Sequence, residues 1–188
     1  MNGKKTKLRD IEIDVLAELM KNSRKSDREL AKALGISQPT VTRMRTKLEK
    51  SGVIKEYTLI PDFKQLGYQI MAVVFMGKQE PQDRKYRIEL RKAATELEAK
   101  TPQASLTIVD GMGLGKGRML IFLYKDYASY MEGLKTIRSL AHVDAEDMET
   151  FLVDLNDESL FRILTLKEIA RHLQTFGKSS EPEKSHNP

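Results

Sequence analysis

The chain of 188 residues contains no cysteine, which excludes disulfides, thiolate metal sites and a cysteine nucleophile together. Histidine is nearly as scarce. His142, His172 and His186 are the only three, and they share no metal-ligand spacing, so each is read as structural or solvated. Long apolar runs are missing as well. The longest stretch without a charge, residues 65–77, is well short of the roughly 20 residues of a spanning helix, and the lysine-rich start lacks the apolar segment of a signal peptide. The sequence therefore reads as a soluble, cytoplasmic protein with no membrane partner, no metal and no resident cofactor. At 40% hydrophobic and 31% charged residues it can bury a core, and its length suits one domain or two small ones. Two is the reading adopted.

One further absence is local. Residues 28–48, RELAKALGISQPTVTRMRTKL, combine helix, glycine turn and helix at the spacing of a helix-turn-helix. Ala31 is a small residue where two helices cross, Gly35 supplies the positive φ of a sharp turn, and Val41 is the apolar contact from the second helix. Leu30, Leu34, Ile36, Met44 and Leu48 complete the inside. Ser26 and Glu29 form a capping box, and Ser37 caps the second helix with Pro39 in its first turn. At 100° per residue the opposite face of that helix carries Pro39, Thr42, Arg43, Thr46, Lys47 and Lys50, and it has no acid.

Such a face has what base edges and phosphates require: short hydrogen-bonding groups near the helix N-terminus and longer cations further along. The DNA-contact candidates are Ser37, Gln38, Thr40, Thr42, Arg43, Thr46, Lys47 and Lys50, with Arg24 before the pair. Residues 21–50 hold nine Lys or Arg against three acids, a net of +6, whereas the whole chain is only +5. Charge concentrated on one module is the footprint of phosphate binding. A small packing module with a solvated basic face is the bland alternative.

A first helix over residues 10–22 precedes the pair, and residues 53–60 alternate as a short strand that opens a wing. The division expected is 1–60 as a winged helix-turn-helix, 61–67 as a linker, 68–164 as a second domain, 165–177 as an amphipathic helix and 178–188 as a disordered tail. In the second domain the elements run strand 68–76, helix 83–100, strand 104–109, strand 119–124, helix 127–141 and strand 148–155. That order is the ferredoxin-like split unit, giving an α+β fold class overall. Two of its strands, IMAVVFM and MLIFLY, are apolar on both sides. A sheet with helices on one face only would leave such strands half bare, so a second copy of the sheet is the expected cover. Residues 159–164 are read as a returning fifth strand, and Thr165 with Glu168 as the capping box of the last helix.

In the N-terminal part, Leu8, Ile11, Leu16, Leu19, Arg24, Ser26, Glu29 to Lys32, Gly35, Ser37, Val41, Leu48 and Glu49, followed by SGVIKEYTLIPDFKQLGY, give a pattern that resembles the Lrp/AsnC family of feast/famine regulators. Glu12 stands where that family usually has aspartate. The resemblance covers about residues 8–164 and implies a winged helix-turn-helix joined to a ferredoxin-like domain that senses a small ligand, dimerises through its sheet and often assembles further. It implies a DNA-binding transcriptional regulator, not an enzyme, with double-stranded DNA, a homodimer or higher homo-oligomer and a small-molecule effector as partners. Sirohaem decarboxylases resemble the same family, but the tetrapyrrole-handling histidine is represented in the second domain by His142 alone. A metabolite-binding protein whose helix-turn-helix does not read DNA is a third option.

The departure from the family lies between the second and third strands, where amino-acid sensors carry a glycine and an acidic, aromatic-containing turn. Here the turn is DGMGLGKGR, and Asp110, Gly111, Gly113, Gly115, Lys116, Gly117 and Arg118 are the effector candidates. No acid follows Asp110 to meet an ammonium group. The phosphate-loop spacing is also absent, since Gly117 takes the place of the hydroxyl residue. Two readings stay open: a hairpin connection, and an anion loop built from backbone amides with Lys116 and Arg118.

Overall fold

The computed structural model describes residues 8–77, 88–89, 91–92, 95, 103–139, 147–157, 159 and 164–178. They form two compact units, one of residues 1–60 with 162–188 and one of residues 61–161. The first is discontinuous in sequence. It contains α1 (Asp10–Lys21), α2 (Asp27–Leu34) and α3 (Gln38–Lys50), and then α5 (Lys167–Phe176) from the far end of the chain.

The starts of α2 and α3 and the end of α2 lie where their local chemistry dictates. The Ser26 hydroxyl accepts from the Glu29 amide while the Glu29 carboxylate accepts from the Ser26 amide at 2.7 Å, the reciprocal capping box. Gly35 ends α2 at φ +65°, a left-handed conformation that costs glycine nothing, and the Ile36 amide then returns to the Ala31 carbonyl at 3.1 Å. Ser37 caps α3 through the Thr40 amide. Val15, Leu19, Leu30, Ala31, Val41, Met44 and Leu48 are buried together, so the 3.6-residue periodicity of the three helices converges on one core. α5 packs along α1, burying Ala170 completely. Lys21 Nζ donates to Gln174 Oε1 at 2.8 Å, and Lys178 pairs with Asp14 at 2.8 Å.

The second unit is a four-stranded sheet in the order β2-β3-β1-β4, with β1 Ile70–Met76, β2 Ala104–Gly113, β3 Lys116–Tyr124 and β4 Met148–Asp154. All neighbours are antiparallel, with Val74 opposite Leu120 and Val73 opposite both Ile121 and Phe151. This is the strand order of the ferredoxin-like split unit. α4 (Tyr127–Arg138), capped by the Asp126 carboxylate on the Ser129 amide at 2.7 Å, lies on one face. There Ala72, Val74, Met76, Leu120, Phe122 and Tyr124 are buried with Tyr130, Leu134 and Ile137. The other face carries Val73, Phe75, Met119 and Ile121, all half-buried, and Phe151, which is 64% exposed.

Four of these expectations take a particular form in the structure. Residues 53–60 form no strand among the described residues; the Val53 and Ile54 amides close the end of α3 on the Leu48 carbonyl. The segment expected as a linker is not free, because Phe63 is buried with Leu123 and Leu155 in the sheet unit, held in a turn by the Asp62 carboxylate on the Lys64 amide at 3.0 Å. The capping box on α5 does not form: Glu168 pairs with Arg171, and Thr165 Oγ1 accepts from the Lys167 amide instead. Finally, the long glycine turn is a tight hairpin. β2 runs on to Gly113 and β3 starts at Lys116, so Leu114 and Gly115 alone make the connection, both at positive φ, as two-residue hairpins favour. The helix expected over 83–100 falls mostly outside the described residues, although Ile88, Glu89, Arg91, Lys92 and Thr95 are helical. The fifth strand falls outside them except for Ser159 and Leu164, neither in a strand, and the tail beyond Lys178 falls outside them altogether.

Candidate nucleic-acid interface

α3 presents its charged side to solvent. Gln38, Thr42, Arg43, Thr46, Lys47 and Lys50 are exposed, as are Ser37 at the cap and Arg24 before α2, while Thr40 is half-buried. Among the described residues, the side chains of Gln38, Arg43, Thr46 and Lys50 have no hydrogen bond or ion pair. They are free to meet an external partner.

The remaining candidates are already engaged. Ser37 Oγ and Thr40 Oγ1 lie 2.8 Å apart and serve the helix cap. Thr42 Oγ1 donates to Asp27 Oδ2 at 2.6 Å, so its hydroxyl ties α3 to α2. Lys47 Nζ reaches Glu12 Oε1 at 2.5 Å. That carboxylate is fully buried and also accepts from the Arg9 amide at 3.0 Å and from Arg9 Nη2 at 2.9 Å. Burial works against its charge, yet the Lys47 ammonium and the two Arg9 groups outweigh burial and hold the carboxyl at about 2, below its ordinary 4.5. A buried carboxylate needs such partners.

Arg45 was not among the residues singled out from sequence, and it organises the back of the module. Its guanidinium pairs with Asp27 at 3.0 Å, donates to the Lys25 carbonyl at 2.8 Å and lies 5.9 Å over the Tyr57 ring. Tyr57 in turn donates to Glu49 at 2.7 Å, and burial together with that bond pushes its phenol up to about 12. The only signal in the sequence was position: Arg45 falls between the two faces of α3. The network fixes α3 on α2 and fastens the segment after it.

In the sheet unit, the cations of the hairpin are not free. Lys116 is nearly buried and pairs with Asp147 and, at 3.2 Å, with Glu149; the Asp147 bond raises its pKa. Arg118 Nε donates to Asp110 Oδ1 at 2.7 Å across the β2/β3 ladder. Gly111, Gly113 and Gly117 lie in the strands and Gly115 in the turn, so the seven effector candidates share one hairpin, but its positive charge is neutralised within the fold.

A family profile described as winged helix-turn-helix DNA-binding matches residues 8–55. The HTH-type transcriptional regulator LrpC of Bacillus subtilis is 43% identical over 68 residues, 36% of this chain and 47% of its own. PH0061 of Pyrococcus horikoshii, an HTH-type regulator, is 36% identical over 77 residues, 41% of this chain and 51% of its own. In sequence, the chain spans about half the length of the curated relatives it matches. The folds agree over far more. The crystal structure of PH0061 aligns with a TM-score of 0.61 at 26% identity, over 85% of this chain and 97% of that one.

The chain is similar to Lrp/AsnC regulators, in sequence over its N-terminal part and in fold over most of its length. Its N-terminal unit carries the helix-turn-helix that the profile describes, and its second unit a sheet with the ferredoxin-like strand order. A regulator of the same fold from Neisseria meningitidis, with a TM-score of 0.66 at 19% identity over 86% of this chain and 99% of that one, was crystallised with L-Met.

Proposed function

We propose that this protein is a sequence-specific, double-stranded-DNA-binding transcriptional regulator that works as a homodimer or higher homo-oligomer. The observation that carries the proposal is the exposed, acid-free face of α3, on which Gln38, Arg43, Thr46 and Lys50 have no partner among the described residues. Gln38 and Arg43, near the helix start, are suited to base edges; Lys50, near its end, is suited to phosphate. Ser37, Thr40, Thr42 and Lys47 act as supports, and Arg24 adds charge beside the module.

Dimerisation is assigned to the open face of the sheet, where Val73, Phe75, Met119, Ile121 and Phe151 form an apolar layer. Two such faces covering each other remove that layer from water, and two recognition helices then read half-sites about one helical turn apart, or a multiple of it. A small ligand that favours one assembly geometry would shift DNA affinity by its differential binding. Selection of bound duplexes from a random pool is the test: a pseudo-palindromic consensus is expected, and recovery of unrelated sequences with uniform affinity refutes sequence-specific reading.

A further inference from the structure

The unit that carries the helix-turn-helix also holds a groove of about 700 Å³, within the size range of small-molecule sites. Its walls are apolar and come from three parts of the unit: Leu16 and Met20 of α1, Ile54 and Leu59 of the segment after α3, and Leu166 and Leu173 at the terminal helix. The lining is unequal in charge. Arg24, Lys55 and Lys167 border it without an ion pair among the described residues, and Glu56 is the one acid on it. Lys21 also lines the groove but is engaged by Glu18 and Gln174.

We propose that this groove binds an aliphatic carboxylate, with the chain along the apolar walls and the carboxylate at the Arg24, Lys55 and Lys167 rim. A purely apolar occupant leaves three cations without a counterion; a cationic one meets repulsion. An anion with an apolar body satisfies both the walls and the rim, since burial drives the chain in and charge-assisted hydrogen bonds orient the head. The site is separate from the sheet hairpin and does not depend on what α3 reads.

Calorimetric titration of the full chain with dodecanoate, below its micelle concentration, tests the assignment. Saturable 1:1 binding is expected, weakened at least fivefold in a Lys55→Ala/Lys167→Ala double variant and at least tenfold in Leu59→Asp. These three side chains are exposed, 76% in the case of Leu59, so the fold tolerates the changes, and circular dichroism verifies it. Dodecanol is expected to bind at least fivefold more weakly than the acid. Absence of saturable binding, equal affinity in all variants, or equal affinity for the alcohol overturns the proposal.

Discussion

Glu12→Gln isolates the only buried carboxylate of the DNA-binding unit's described residues, and its consequence can be worked out in sign and size. The folded carboxyl titrates at about 2 against 4.5 in an open chain. Because the folded value is the lower one, its contribution is fully present above pH 4.5 and is lost as pH falls toward 2. A shift of that size corresponds to about 3 kcal/mol at neutral pH. Arg9 and Lys47 are 59% and 50% exposed, so solvent screening of their attraction brings the expected contribution down to roughly 1–2 kcal/mol. For a unit of this size that is a fall in Tm of about 5–10 °C. Thermal unfolding of wild type and Glu12→Gln, followed by circular dichroism at pH 7 and pH 3, measures it. The gap between the two proteins should shrink by more than half at pH 3. A gap of the same size at both pH values refutes the reasoning, because the loss would then come from packing and not from charge.

On DNA, Arg43→Ala should cost about 1–3 kcal/mol on the preferred site and relax preference at one or two base pairs; an equal loss on all sequences would show that Arg43 does not read bases. Lys50→Ala should weaken every sequence alike and reduce the salt slope by about one, while Lys47→Ala should reduce it by less, since Glu12 already neutralises that ammonium; equal slopes for the two variants would sink the distinction. Ile121→Glu, on the open sheet face, should give a folded monomer by sedimentation, whereas a folded dimer would remove that face from the interface. Ala170→Glu places a charge where α5 buries a methyl group, and should cost at least about 2 kcal/mol, seen as faster amide exchange in α1; unchanged exchange would mean that α5 adds nothing to the module.

The helix-turn-helix was legible because its signals are local: a cap, a glycine and an apolar period act within a few residues of one another. Ser26, Gly35 and Ser37 each do in space what their spacing announces. The sheet order followed from element order, since the split unit has few ways to be wound. What the sequence concealed depends on partners distant in the chain. Thr42 and Lys47 read as outward-facing side chains, and their bonds to Asp27 and Glu12, 15 and 35 residues away, are not visible in the local pattern. Likewise Lys116 reads as a free cation in a glycine-rich turn, because Asp147 lies 31 residues further on. The unpaired segment after α3 has the same origin: residues 53–60 alternate like a strand, but alternation specifies a face and not a neighbour.

The return of α5 to α1 makes the order of synthesis matter. Three helices of the DNA-binding unit leave the ribosome first and its fourth leaves only after the sheet, some hundred residues later. Until then Ala170's seat on α1 is open to water, and the nascent module lacks the contacts at Gln174 and Lys178. The unit therefore reaches its full stability only once the chain has been made as far as residue 178. Translation that stops within the sheet leaves a helix-turn-helix without its fourth helix, a weaker form that the cell's proteases can distinguish from the finished protein.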